Sequence, residues 1–303
     1  MKSRLFLAVV VFLAINSCNR SAQQIEGLIK INGTELYVKT IGTGEPIVFI
    51  HGGPGLGFDY FLPQMEELSE DYRLIFFDQR ISGRSSANVS QDSISLDYFV
   101  SDIEALRVYL KLGEINVLAH SWGNLLAIEY ALKYPTKLGK IILSNPVPFS
   151  KEFDEEVRLL QQMAMDSSFM ANRAGIMNSE AFAQRERSAF EELFLLSFSL
   201  SYYDKANMNE MNFKLFEGFF ERNSKMQYFS GLEEFDYYPR LSQIENSVLL
   251  IRGEYDLSAR NADVKTIDSL GNARLVEMKF SGHFPFIEQQ VEYIWEVKNF
   301  LEN

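Results

Sequence analysis

Ser121 stands in Ala119-His120-Ser121-Trp122-Gly123, where the strand-like segment 115–119 gives way to a helical pattern from Trp122 to about Tyr134. A buried strand that turns directly into a helix, with serine at the bend, is a nucleophile elbow of the G-x-S-x-G kind, Ala119 taking the place of the first glycine. The bend lifts the hydroxyl clear of the sheet and sets it at a helix N-terminus, where free N–H groups favour developing negative charge. Alone, such a serine reads as an N-cap. It is not alone. The run 248–251 leads into Arg252-Gly253-Glu254-Tyr255-Asp256, and a run ending at Phe280 leads into Ser281-Gly282-His283. Serine, then acid, then histidine, each on a loop after a strand, is the chain order that acyl-transfer chemistry requires on such a scaffold. His283 is the expected base for Ser121, and Asp256 the carboxylate that holds its imidazole in one tautomer. Glu254 is the competing acid, closer to the strand end. His120 adjoins the serine on a sharp turn and so points away from it, as a packing or pocket residue. His51 precedes the serine, the wrong order for the base.

The third loop is His51-Gly52-Gly53-Pro54-Gly55, after the apolar run 47–50. Glycines around a proline leave a backbone that can approach a ligand closely and point an N–H at it. The Gly53 and Trp122 N–H groups are the expected oxyanion donors.

These loops need a scaffold of buried strands. Segments 27–31 and 35–40 read as a hairpin with Asn32-Gly33 as its turn. Runs 47–50, 73–77, 115–119, 140–143, 248–251 and 274–280 read as strands, several apolar throughout and so buried on both faces. Segments 59–68, 96–112, 122–134 and 291–301 read as helices. Strand and helix in repetition predict an α/β fold with a mainly parallel sheet flanked by helices. The alternation stops near Asn145-Pro146 and resumes near Ser247. The stretch between has helical spacing and many Phe, Tyr and Met residues, and reads as a helical cap inserted over the sheet.

Composition narrows the chemistry. The 303 residues carry 41 acidic and 29 basic side chains, a net charge of −12, with no cluster of Lys and Arg. Nucleic acid is therefore excluded as a partner. One cysteine, Cys18, allows no intramolecular disulfide, and the three scattered histidines have no metal-ligand spacing. No cofactor motif accompanies the three loops, and hydrolysis needs none. An elbow serine excludes the dehalogenase and epoxide-hydrolase chemistry that needs aspartate there.

His51-Gly52-Gly53-Pro54-Gly55, Asp78-Gln79-Arg80 with Ser82-Gly83-Arg84-Ser85, Ser121-Trp122-Gly123 and Gly253-Glu254-Tyr255-Asp256 resemble the proline iminopeptidase family of α/β-hydrolases. The resemblance covers nearly the whole chain after its leader and is weakest in the inserted stretch. It implies an α/β-hydrolase fold with a helical cap, a triad of Ser121, Asp256 and His283, and release of an N-terminal residue, often proline, from short peptides. Two positions depart from the family pattern: Ile81 stands where glycine is usual, and His120 replaces a frequent glycine before the serine. The family also holds the substrate's free amine with cap glutamates, one of them shortly before an aromatic pair. Here the comparable stretch, Asn223 to Phe229, has no acid, and the nearby candidates are Glu217, Glu221, Glu233 and Glu234. Each could instead belong to a solvated helix face. An esterase or lactonase on small acyl substrates is the alternative within the same chemistry, and a non-catalytic ligand-binding protein the alternative outside it.

The N-terminus reads as an address. Lys2 and Arg4 precede an apolar run, 5–15, too short to cross a hydrocarbon core of about 30 Å and typical of a signal peptide. It ends in Ile15-Asn16-Ser17-Cys18, which resembles a loose bacterial lipobox and implies cleavage before Cys18 and a lipid on its thiol. A plain signal peptide, leaving a soluble exported or periplasmic protein, is the alternative. The expected organisation is a leader over 1–17, core over 18–146, cap over 147–240 and core again over 241–303, tethered to a membrane through Cys18.

Overall fold

The computed structural model describes residues 24–233 and 235–303, and its frame is an eight-stranded sheet. The strands are β1 (Glu26–Ile31), β2 (Thr34–Ile41), β3 (Glu45–Ile50), β4 (Tyr72–Phe77), β5 (Ile115–His120), β6 (Leu138–Ser144), β7 (Val248–Gly253) and β8 (Ala273–Met278). They lie in the order β1-β2-β4-β3-β5-β6-β7-β8. β1 and β2 pair antiparallel, as do β2 and β4, and every later pair is parallel.

The sequence explains the layering. In β3, Val48 and Ile50 join a core with helices α1 (Leu96–Tyr109) and α2 (Gly123–Lys133), while Ile47 and Phe49 face α11 (Gln290–Glu302) and the segment 58–68 on the other side. Both faces are covered, so the strand is apolar at every one of these positions. Each such side chain contributes about 1.5–3 kcal/mol on burial.

Three expectations change. Segment 59–68 is not one helix but two 3₁₀ segments, Phe58–Phe61 and Gln64–Glu70, because Pro63 has no N–H to continue a hydrogen-bonded ladder. The helix expected to reach residue 112 ends at Tyr109, with Lys111 in the left-handed region at φ 56°. The strand expected to reach Phe280 ends at Met278, and Phe280 lies exposed at φ 53°.

Between β6 and β7 the described residues form α3 (Asp154–Ala164), α4 (Ser167–Met177), α5 (Glu180–Ala183), α6 (Arg187–Phe198), α7 (Phe219–Lys225) and α8 (Tyr238–Leu241). Phe190, Phe194, Phe198, Phe213 and Phe220 gather around Leu215, Phe219 and Leu56. Leu56 belongs to the glycine-rich loop, so this cluster seats the inserted helices on that loop. The remaining helices are α9 (Arg260–Ser269) and α10 (Pro285–Glu288).

Candidate active site

β5 ends at His120, and Ser121 follows at φ 54°, a left-handed conformation that residues other than glycine seldom adopt. Its N–H donates to Ser144 O of β6 at 3.0 Å, and its carbonyl accepts from Asn124 N at 3.0 Å as α2 begins. Two glycines make room for the bend. A Cβ on Gly52 would lie 2.7 Å from Ser121 Cβ, and one on Gly123 would collide with Ile50 O. The turn between β5 and α2 thus closes directly on the end of β3. Among the described residues Ser121 Oγ forms no hydrogen bond, and the only bond to Ser121 from a side chain is that of Asn124 Nδ2 to its carbonyl, at 2.9 Å.

Asp256 and His283 do meet. His283 Nδ1 lies 3.0 and 3.1 Å from the two Asp256 oxygens. A carboxylate can only accept, so Nδ1 carries the hydrogen and Nε2 keeps its lone pair, the tautomer a base needs. Asn145 Nδ2 also donates to Asp256 Oδ2 at 2.6 Å, and Ser258 N to Oδ1 at 3.1 Å. Burial works against charge on Asp256. The His283 ring, the Asn145 amide and Arg252 outweigh it and hold the carboxyl well below the usual carboxylate range. Glu254 turns instead to Lys279, 3.2 Å away.

The loop that carries His283 is fastened to the inserted helices. His283 N donates to Ser201 O at 2.6 Å, and Gly282 N donates to Glu288 Oε2 at 2.7 Å. The other oxygen of Glu288 accepts from Tyr203 N and Asp204 N at 2.8 and 3.0 Å.

On the glycine-rich loop, Gly52 N donates to Tyr60 Oη at 2.6 Å. The next N–H, of Gly53, and that of Trp122 have no partner among the described residues. His51 is fully buried, which pushes its pKa down. Gln79 N donates to its Nε2 at 3.0 Å, so Nδ1–H donates to Gly52 O at 2.8 Å. Gln79 Nε2 binds His51 O at 2.6 Å, and Gln79 Oε1 accepts from Trp122 Nε1 at 3.3 Å. His51 and Gln79 therefore brace the loop. The neighbouring motif residues are structural too: Arg80 Nε and Nη2 grip Asp102 at 3.0 and 2.6 Å, and Arg84 Nε grips Asp78 at 2.7 Å. Ile81 is fully buried at φ 51°, in the conformation that glycine adopts without strain.

His120 is buried as well, its Nδ1 at 2.9 Å from Tyr60 Oη and its Nε2 at 2.8 Å from His283 O. Of the candidate amine-binding acids, Glu217, Glu221 and Glu233 are exposed, and Glu233 accepts from Gly231 N at 2.9 Å. Glu234 and Cys18 lie outside the described residues. The inserted segment instead buries a cation, Arg222, whose Nε has no partner among the described residues. Asn145 and Tyr60 are the site residues that sequence reasoning missed. Neither carried a signal of its own: the left-handed turn at Asn145 shows only in the structure, and Tyr60 lies in a segment that reads as a helix.

Comparison with known proteins agrees with this architecture. The sequence profile of the α/β-hydrolase fold matches residues 45–290. Proline iminopeptidase of Heyndrickxia coagulans is 26% identical over 287 residues, covering 92% of this chain and 99% of that protein. Proline iminopeptidase of Clostridium botulinum is 28% identical over 289 residues, covering 90% and 96%. Among solved structures, proline iminopeptidase of Mycobacterium smegmatis superposes with a TM-score of 0.67 at 20% identity, over 91% of this chain and 97% of that one. A thermophilic esterase from Thermogutta terrifontis gives 0.63 at 21% identity, over 91% and 98%. Likeness at that identity speaks for the fold alone. The chain belongs to the α/β-hydrolase fold family, and in sequence it resembles the proline iminopeptidases of that family.

Proposed function

We propose that the protein is a serine hydrolase in which Ser121 is the nucleophile, His283 the base and Asp256 the group that orients it. The observation that carries this reading is the Asp256–His283 pair, with Nε2 left free, on loops after β7 and β8 beside a left-handed Ser121. In this scheme Ser121 Oγ attacks a substrate carbonyl while Nε2 takes its proton. The carbonyl oxygen becomes an oxyanion held by the Gly53 and Trp122 N–H groups. His283 returns the proton to the leaving group, and the acyl group stays on Ser121. A water, deprotonated by the same nitrogen, then releases the acid and restores the serine. A fluorophosphonate probe tests the assignment: it should label Ser121 alone, and labelling at another serine would overturn it.

The finer reading is release of an N-terminal, proline-like residue from short peptides, supported by the names of the relatives. A second reading, an esterase or lactonase on small acyl substrates, is favoured by the cap. It exposes Glu217, Glu221 and Glu233 and buries Arg222 instead. The division into cap (147–240) and flanking core segments, and a membrane tether through a lipid on Cys18, belong to the same proposal. Among the described residues no helix is long and apolar enough to cross a membrane.

A further inference from the structure

The hydrogen bonds around His120 can run in one direction only. His283 O is a carbonyl and can only accept, so His120 Nε2 must carry the hydrogen of that 2.8 Å contact. Neutral imidazole has one N–H, which leaves Nδ1 as an acceptor facing Tyr60 Oη at 2.9 Å. The tyrosine hydroxyl therefore donates to His120, and its oxygen is free to accept from Gly52 N at 2.6 Å. Full burial pushes the His120 pKa well below the usual histidine range and keeps the ring neutral, as this arrangement needs. Burial likewise raises the Tyr60 pKa, so its proton stays. A single chain of donors thus runs from Gly52 through Tyr60 and His120 to the main chain of His283.

Its endpoints give it meaning. Gly52 immediately precedes Gly53, the oxyanion donor of the proposed mechanism, and the chain ends on the carbonyl of the proposed base. His120 itself precedes the nucleophile. Tyr60 is locked in place, with Phe61 and Phe286 ring centroids 4.6 and 6.0 Å away. We infer that His120 and Tyr60 are positioning residues that hold the oxyanion loop and the base loop in register across the elbow. The inference rests on the Ser121, Asp256 and His283 assignment above. Neither side chain needs to touch the substrate. A displacement of about 1 Å between donor, nucleophile and base is enough to lower the rate about 100-fold.

The test uses the full-length protein with p-nitrophenyl butyrate and alanine p-nitroanilide, with rates normalised to fluorophosphonate-titrated serine so that unfolded molecules do not count. Tyr60→Phe and His120→Leu should each lower kcat about 10- to 100-fold with KM changed less than about threefold. His120→Gln is the rescue: its carboxamide offers one acceptor and one donor with the spacing of the two ring nitrogens, and should restore kcat to within about fivefold of wild type. A purely structural role would lower stability in all three variants and leave kcat per titrated site at the wild-type value, which would overturn the inference. So would His120→Gln as slow as His120→Leu. Where His120→Leu does not fold, Tyr60→Phe, which removes a single oxygen, carries the test. Ser121→Ala serves as the control for the underlying assignment. Activity retained there refutes the triad, whereas an inactive Ser121→Ala beside fully active relay variants refutes only the relay.

Discussion

Asn145 donates its side-chain amide to Asp256 at 2.6 Å from the end of the neighbouring strand, and to Gly282 O at 3.1 Å beside His283. One amide therefore fixes the carboxylate and the loop of the imidazole it orients. Asn145 can do this because it sits at φ 44°, a left-handed turn that asparagine tolerates better than most residues.

Asn145→Gly should keep that backbone and remove only the amide. A hydrogen bond to a charged group contributes about 1.5–3 kcal/mol, so kcat is expected to fall at least about tenfold. Steady-state kinetics on a p-nitrophenyl ester check this, and an unchanged kcat would show that Asp256 is held by Ser258 and His283 alone.

Removal of the nucleophile or the base should be far more severe. Ser121→Ala and His283→Ala are each expected to lower kcat by roughly 10⁴–10⁶, and Asp256→Ala somewhat less. Full activity in either of the first two would exclude the mechanism.

Asp256 also makes a prediction about pH. Its carboxyl titrates below the ordinary value in the folded protein, whereas in the unfolded chain it returns to about 3.9. The folded state thus favours the ionised form. The stability this contributes is fully present above the unfolded value and is lost as pH falls towards the folded one. Urea unfolding of wild type and Asp256→Asn should show a stability difference that is constant from about pH 7 to 5 and shrinks below about pH 4. A difference that does not vary with pH would contradict it.

The substrate amine separates the two finer readings. A charged hydrogen bond to an ammonium group is worth about tenfold to more than 100-fold in kcat/KM. Release of N-terminal residues therefore predicts rapid cleavage of proline or alanine p-nitroanilide and slow cleavage of its N-acetyl form. Neutralising the responsible acid among Glu217, Glu221, Glu233 and Glu234 should abolish the preference. Equal turnover of free and blocked substrates would place the enzyme among the esterases.

Cys18→Ala should move the protein from the membrane fraction to a soluble exported fraction. A wild-type chain that is already soluble and begins at or beyond residue 18 without lipid would refute the anchor.

The sheet was legible because its central strands are rich in apolar residues, unbroken in 47–50 and 248–251, and the candidate triad because Ser121, Asp256 and His283 each stand within a few residues after a strand. Other contributions depend on which strands are neighbours. Asn145 reaches Asp256 only because β6 lies beside β7, and nothing in the local pattern around Asn145-Pro146 marks more than the end of a strand. Tyr60 was hidden by a different effect. The segment 58–68 has helical spacing, but Pro63 divides it, and the tyrosine faces inward to the glycine-rich loop. The cap acids were ambiguous for the reason any amphipathic stretch is: spacing shows that a helix has two faces without showing which one meets the pocket.

Glu288 clamps Tyr203 and Asp204 of the inserted segment to Gly282. The inserted segment is thus hung from the same post as His283. Displacing the inserted segment along that edge would pull on the loop that carries His283.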